Sequence, residues 1–284
     1  MSDVTIGLLH PGEMGAAVGR CLADHGYAVL WAPEGRSAAS AAGAESAGLI
    51  ATGGLADLIR RADLIISVCP PHAALDVAGQ VAAAGGQAAR PGGIFVDANA
   101  ISPATARKVA AIVEAGGAGY VDGGIIGPPP VAPGRTRLYL SGSRAEEVRR
   151  LFDGTALDAR LVGLDAQAGA ASAVKMAYAA WTKGTAALVL AARGLARAED
   201  VEDVLLAEWA LSQPGLDDRS ARAARSAAAK GWRWIAEMEE IAAAMAAAGL
   251  PGGFHQAAAE IYRRSPDGGD GSLDAVLTAL LSSP

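Results

Sequence analysis

The chain has 284 residues, 51% of them hydrophobic, which is enough apolar side chain for one large core or two ordinary ones and excludes disorder along its whole length. Its 24 Lys and Arg against 30 Asp and Glu give a net charge of -6, so no global basic field recruits nucleic acid or an anionic membrane. A local basic pocket for a phosphate or carboxylate stays open.

The two cysteines, Cys21 and Cys69, form neither a disulfide framework nor a metal-ligand cluster, so they are expected as core thiols in a reducing compartment, with no metal. MSDVTIGLL lacks the basic flank and cleavage site of a signal peptide, and its apolar run breaks at His10, too soon to span a bilayer. A soluble, cytoplasmic protein is the expectation.

In chain order, VTIGLL (4–9) reads as a buried strand, AAVGRCLADHG as a helix ending at Gly26, and YAVLWA as a second strand, which together make one β-α-β unit. ADLIRRA, ADLIISVC, ALDVAGQVAAAG, GGIFVDAN, PATARKVAAIVEAG and GYVDGG continue the alternation. Such a series predicts an α/β fold, a mostly parallel sheet covered on both faces by helices. After GRTRLYLSG and AEEVRRLF, apolar runs from about Asp165 onward turn helical, which puts the expected domains at 1–164 and 165–284.

AQAGAASAVKMAYAAWTKGTAALVLAARGLARA predicts a helix of roughly 25 to 30 residues, long enough to join domains or enter a dimer interface. Lys175, Lys183 and Arg193 within it argue against a membrane span. SARAARSAAAKGWRWIAEMEEIAAAMAAAG adds a helix with an apolar stripe through Trp234, Met238 and Ile241, and FHQAAAEIYRR adds a shorter one, so the second domain is expected to be all-α.

Chemistry concentrates at strand ends. HPGEMG (10–15) resembles a G-x-G-x-x-G phosphate turn with His10 in place of the first glycine. Gly12 allows close approach of a pyrophosphate and Gly15 allows the helix to pack on the strand, so His10, Pro11, Gly12, Glu13 and Met14 are expected against the cofactor. A histidine there requires an allowed dihedral or modest strain, and a structural or cofactor-contacting role is favoured over a catalytic one. After the second strand, Glu34 favours the ribose hydroxyls of NAD whereas Arg36 and Ser37 favour the 2'-phosphate of NADP; the pair tips the reading toward NADP.

The prolines of SVCPPHAA suit a loop on the nicotinamide side, making Cys69, Pro70 and Pro71 cofactor candidates and His72 a bland loop residue. In DANAIS, Asn99 is read toward cofactor and Ser102 toward substrate, and DGGIIGPPP reads as a third such loop, with Gly124, Ile125 and Ile126 on the substrate side. Lys175 is the strongest reaction candidate, because an amine amid small apolar residues can donate a proton to a forming alkoxide and take it back in reverse. Tyr178, Thr182 and Lys183 follow near the same helical face.

Taken together, HPGEMG, GRS, SVCPP, DANAISP, DGGIIG and GAASAVK resemble the β-hydroxyacid dehydrogenase superfamily, which includes 3-hydroxyisobutyrate and 6-phosphogluconate dehydrogenases. WRWIAEMEEI and GLPGGFHQAAAEIY are similar to its branch with a distinctive phosphogluconate-dehydrogenase C-terminal domain of the DUF1932 kind. The resemblance implies a Rossmann domain, a helical domain, a cofactor cleft between them, a homodimer, and Lys175 as general acid and base. It also implies two departures: the family's substrate-anchoring serine falls at Ile126 and its asparagine beyond the lysine falls at Ala179.

Tyr178, Thr182, Lys183, Trp234, Glu237 and His255 are therefore candidates for a rearranged substrate pocket. Their bland alternatives are core aromatics for Tyr178 and Trp234, a solvated partner of Arg233 for Glu237, and an interfacial or capping residue for His255. The expected activity is NADP-dependent hydride transfer with a small hydroxylated or carbonyl substrate, hydroxyacids included. Imine reduction and non-enzymatic dinucleotide sensing are the alternatives.

Overall fold

The structure is a computed structural model that describes residues 4–85, 92–268 and 271–282. It divides into two compact units, Met1–Lys175 and Met176–Pro284.

In the first unit, strands β1 (Thr5–Leu9), β2 (Ala28–Trp31), β3 (Ile50–Ala51), β4 (Leu64–Ser67), β5 (Ile94–Asp97), β6 (Gly119–Ile126), β7 (Thr136–Ser141) and β8 (Leu157–Leu161) form one sheet in the order β3-β2-β1-β4-β5-β6-β7-β8. All pairs are parallel except β6 with β7. The helices are α1 (Glu13–Asp24), α2 (Ala38–Ser46), α3 (Leu55–Arg61), α4 (Ala74–Gly85), α5 (Pro103–Ala115) and α6 (Ala145–Arg150).

The inner strands are apolar on both sides because both faces are covered. Ile6, Leu8, Ile66 and Val96 enter one core, and Leu9, Ile65 and Phe95 enter the other. Gly7 is small because α3 presses on it: an added Cβ would stand 2.5 Å from a Leu58 methyl. The strand order reverses between β1 and β4, so the loops leaving their carboxyl ends diverge and open the crevice where doubly wound sheets take ligands.

The second unit holds the rest of α7 (Ala170–Ala198), together with α8 (Glu202–Ser212), α9 (Leu216–Ala247), α10 (Gly253–Arg264) and α11 (Leu273–Ser282). α9 packs through a face of small residues, Ala223, Ala224, Ala227, Ala228 and Gly231, with Met238 and Ile241 further along. Gly231 of α9 lies beside the Tyr262 ring of α10. The buried Arg193 guanidinium ties α7 to Glu202 at 2.6 Å, to Asp217 at 2.7 Å and to the Ser220 hydroxyl at 3.0 Å. Among the described residues, no helix is long and apolar enough to cross a membrane.

Candidate functional site

The turn after β1 folds as its residues require. His10 takes φ 64, the left-handed conformation a glycine would have supplied, and its carbonyl accepts the Gly12 N–H at 2.8 Å. Gly15 must lack a side chain, because a Cβ there would lie 2.4 Å from the same carbonyl oxygen. Gly12 is different, since a Cβ there would meet nothing within 4 Å. That open space lies at the N-terminus of α1, the positive end of the helix, so the turn fits a dinucleotide phosphate. Glu13 is exposed in this first turn, and Pro11 is buried behind it.

Beside the turn runs a groove of about 320 Å³ lined by Leu9, Ala32, Leu55 and Val77 with His10, Glu34, Arg36 and Gln80 at its polar points. Apolar walls with a few polar groups suit a nucleoside. Burial, aided by the Arg36 charge, pulls the His10 imidazole down to about 4, so it is neutral at physiological pH. Its Nδ1 is buried without a partner. Glu34 lies against Gly54, where any side chain would strike its carboxylate at 2.6 Å. Arg36 donates to the Glu34 carbonyl at 3.3 Å, and the Ser37 hydroxyl caps α2 by accepting the Ser40 N–H at 3.2 Å.

The loops after β4 and β5 are latched to each other. Asn99 accepts the Cys69 N–H at 2.5 Å through Oδ1 and donates to the Ser67 hydroxyl at 3.3 Å, while its own N–H donates to Asp97 Oδ1 at 3.0 Å. Its amide thus holds the Cys69-Pro70 loop in place from within the protein. The Cys69 thiol is buried and pushed up to about 11, hence inert at neutral pH. Burial, with Asp122 adding repulsion, raises the Asp97 carboxyl to about 7. His72 is exposed in a short 3-10 turn over Pro71–Ala73.

Lys175 sits half-buried in the second turn of α7. That turn lies directly on β6: a Cβ on Gly124 would stand 2.7 Å from the Ala171 carbonyl oxygen and 3.1 Å from Lys175 Cβ. β5 ends at Asp97, in register with Asp122, so Gly124 is two residues beyond it at the carboxyl edge of the sheet. The lysine therefore rises from the sheet edge that carries the phosphate turn.

Five further candidates, Ser102, Ile125, Ile126, Tyr178 and Glu237, have well-defined surroundings. Ser102 caps α5 with Pro103 at the first helical position, and its hydroxyl accepts the Thr105 N–H at 3.2 Å, so it faces the helix. DGGII is not a loop but the second half of β6, which is covered along its length, so Ile125 belongs to a hydrophobic core and Ile126 is 3% exposed. Tyr178 is no core aromatic, being 48% exposed. Glu237 is buried and ion-paired to Lys183, whose ammonium lies 5.3 Å from the Trp234 ring centre, so it is no solvated residue.

In the second unit the structure gathers Lys183, Trp234, Glu237 and Tyr262, the last donating to the Lys183 carbonyl at 2.6 Å and meeting Trp234 edge-on at 5.1 Å. His255 packs at Gly184 with Nε2 3.3 Å from the Ala180 carbonyl. Thr182 donates to the Tyr178 carbonyl at 3.0 Å, a bond within its own helix. Sequence reasoning passed over Asp97, Asp122, Ser141 and Ser172. The signal was present in VDAN and VDGG, where an acid follows directly on the apolar run of a strand and is buried in both cases.

A glycine turn at a helix start, an apolar groove with a few polar groups, and a lysine thus lie along the carboxyl edge of a doubly wound sheet, the arrangement of a dinucleotide-binding fold. Residues 5–159 match the NAD binding domain of 6-phosphogluconate dehydrogenase, and residues 196–265 match a domain of unknown function, DUF1932. The chain belongs to this 6-phosphogluconate dehydrogenase-like family and is an NAD(P)-dependent dehydrogenase or reductase. It is similar to the conserved protein MTH1747 of unknown function, itself structurally similar to 3-hydroxyacid dehydrogenases, at 26% identity and TM-score 0.70 over 98% of this chain and 99% of that one.

The 3-hydroxyisobutyrate dehydrogenase of Mycobacterium tuberculosis shares the fold at 22% identity and TM-score 0.72, covering 99% of both chains. A reductive aminase from Aspergillus terreus shares it at 22% identity and TM-score 0.57, covering 93% of both.

Proposed function

We propose that the chain is an NADP-preferring oxidoreductase acting on a small hydroxylated or carbonyl substrate, hydroxyacids included, with Lys175 as its proton carrier. The observation that carries this reading is the seating of Lys175 on Gly124, at the carboxyl edge of the sheet that also bears the phosphate turn. The bound dinucleotide supplies the hydride-transfer chemistry. Its phosphates would be held by the turn from His10 to Met14, and its nucleoside by the groove at Glu34 and Arg36.

Lys175 would give a proton to the substrate oxygen as negative charge develops there and take it back in the oxidation direction. The Arg36 guanidinium at the groove supports a 2'-phosphate, hence NADP over NAD. Ile126, at the position where the resemblance places a substrate-anchoring serine, offers no hydroxyl, which favours substrates other than those a serine would anchor there. The exposed row Tyr178, Trp181, Leu188 and Leu195 on α7 supports a homodimer, and two buried free thiols support a reducing, cytoplasmic setting.

The test is a panel of hydroxyacids, polyols, carbonyl compounds and imines with NADPH, NADP, NADH and NAD, followed by dinucleotide absorbance. Turnover of alcohol and carbonyl pairs with the phosphorylated dinucleotide is expected. Turnover confined to imines would replace the substrate class, and dinucleotide binding with no turnover across the panel would favour a sensing protein.

A further inference from the structure

Asp122 is wholly buried at the centre of β6, next to Asp97 on one side and Ser141 on the other in strand register. Its carboxylate accepts four hydrogen bonds. Oδ2 takes the N–H groups of Gly169 and Ser172, each at 2.9 Å, and the Ser141 hydroxyl at 3.1 Å; Oδ1 takes the Ser172 hydroxyl at 2.6 Å. The Ser141 oxygen in turn accepts the Ala171 N–H at 3.1 Å. Three N–H groups at the start of α7 are thus fixed to two adjacent strands by one carboxylate and one hydroxyl.

This exceeds an ordinary helix cap, which satisfies one or two such donors from the residue before the helix. Here the acceptor comes from a strand 50 residues earlier in the chain, so it sets the helix against the sheet rather than merely starting it. Lys175 follows Ser172 by three residues, and the Ala171 carbonyl and Lys175 Cβ are the atoms that press on Gly124. Movement of the first turn along or around the helix axis would carry the lysine with it.

We propose that Asp122, acting with Ser141 and Ser172, is a positioning residue for the Lys175 amine. The proposal rests on the reading of Lys175 as the proton carrier. Its chemistry is electrostatic and steric only: Asp122 need not exchange a proton with substrate, because its buried oxygens are committed to α7 and Ser141. Charge-assisted bonds to backbone N–H groups are the stronger kind, so losing them loosens one turn without removing the fold's apolar core.

The test is competitive acetylation of the folded protein with trace acetic anhydride, read by mass spectrometry at Lys175 relative to Lys183 and to the exposed Lys108 and Lys230. In Asp122→Asn, Lys175 is expected to label faster by about threefold or more, with Ser172→Ala moving it in the same direction and the other three lysines unchanged. Should circular dichroism show Asp122→Asn unfolded, Ser172→Ala is the deciding variant. Unchanged labelling of Lys175 in the folded variants overturns the positioning role. Full turnover in Lys175→Met would instead remove the proton-carrier reading, leaving the labelling result to stand as a statement about the helix.

Discussion

The two units bury polar side chains in opposite ways. In the first, Asp97 and Asn99 at the end of β5 and Asp122 beside them in β6 send most of their bonds to backbone N–H groups of loops or of a helix start. In the second, Arg193 pairs with Glu202 and Asp217, and Lys183 with Glu237, linking one helix to another. The difference teaches that burial of charge alone does not mark chemistry. Polar groups that hold backbone around an open edge prepare a binding surface, whereas paired charges between helices fix packing.

That contrast breaks most visibly if single substitutions fail to separate activity from stability. Lys175→Met is expected to lower turnover by about 10² to 10⁴-fold while dinucleotide affinity and melting temperature hold, as steady-state rates, fluorescence titration and calorimetry would read. Arg193→Leu should do the reverse. It removes the buried guanidinium that joins Glu202, Asp217 and Ser220, leaving Glu202 to Arg197 alone, and costs about 2 to 3 kcal/mol in denaturant unfolding, with dinucleotide affinity unchanged.

Much of the first unit is legible in the sequence because the inner strands are short apolar runs separated by helix-forming stretches, and HPGEMG follows the first of them. The site's frame is less so. The bond from Ser172 to Asp122 spans 50 residues, and only strand register brings Ser141 beside them. LDARL, which forms β8, carries an exposed Asp158–Arg160 pair and lacks the continuous apolar run of an inner strand. α8 buries none of its residues, so EDVLLAEWALS shows no core stripe to read. Ser102 was legible in another sense: serine before proline is a helix start, and the structure uses it so.

Proton linkage sharpens the comparison at the strand ends. The folded Asp97 carboxyl stands near 7 against an ordinary 3.8, so the folded state holds a proton that the unfolded chain releases. This contribution to stability is complete below about pH 4 and is lost as pH rises toward 7. Asp97→Asn keeps an oxygen for the Asn99 N–H, so its melting temperature is expected to fall less than wild type across that window. A wild-type slope retained in the variant would show that another group is responsible.

The smallest expected effect concerns the groove. Arg36→Ala should raise KM for NADPH about tenfold with KM for NADH nearly constant, since one charge-assisted contact to a phosphate is removed. Equal changes for both dinucleotides would place Arg36 away from the 2'-phosphate.

The central claim is that the Lys175 amine serves the reacting end of a dinucleotide held at this sheet edge. A crystal structure with NADPH bound tests it most directly. The account predicts the nicotinamide ring within about 5 Å of Lys175 Nζ, leaving space for one small substrate between them. A nicotinamide ring bound far from that amine, with no movement of α7 that would bring the two together, would contradict it.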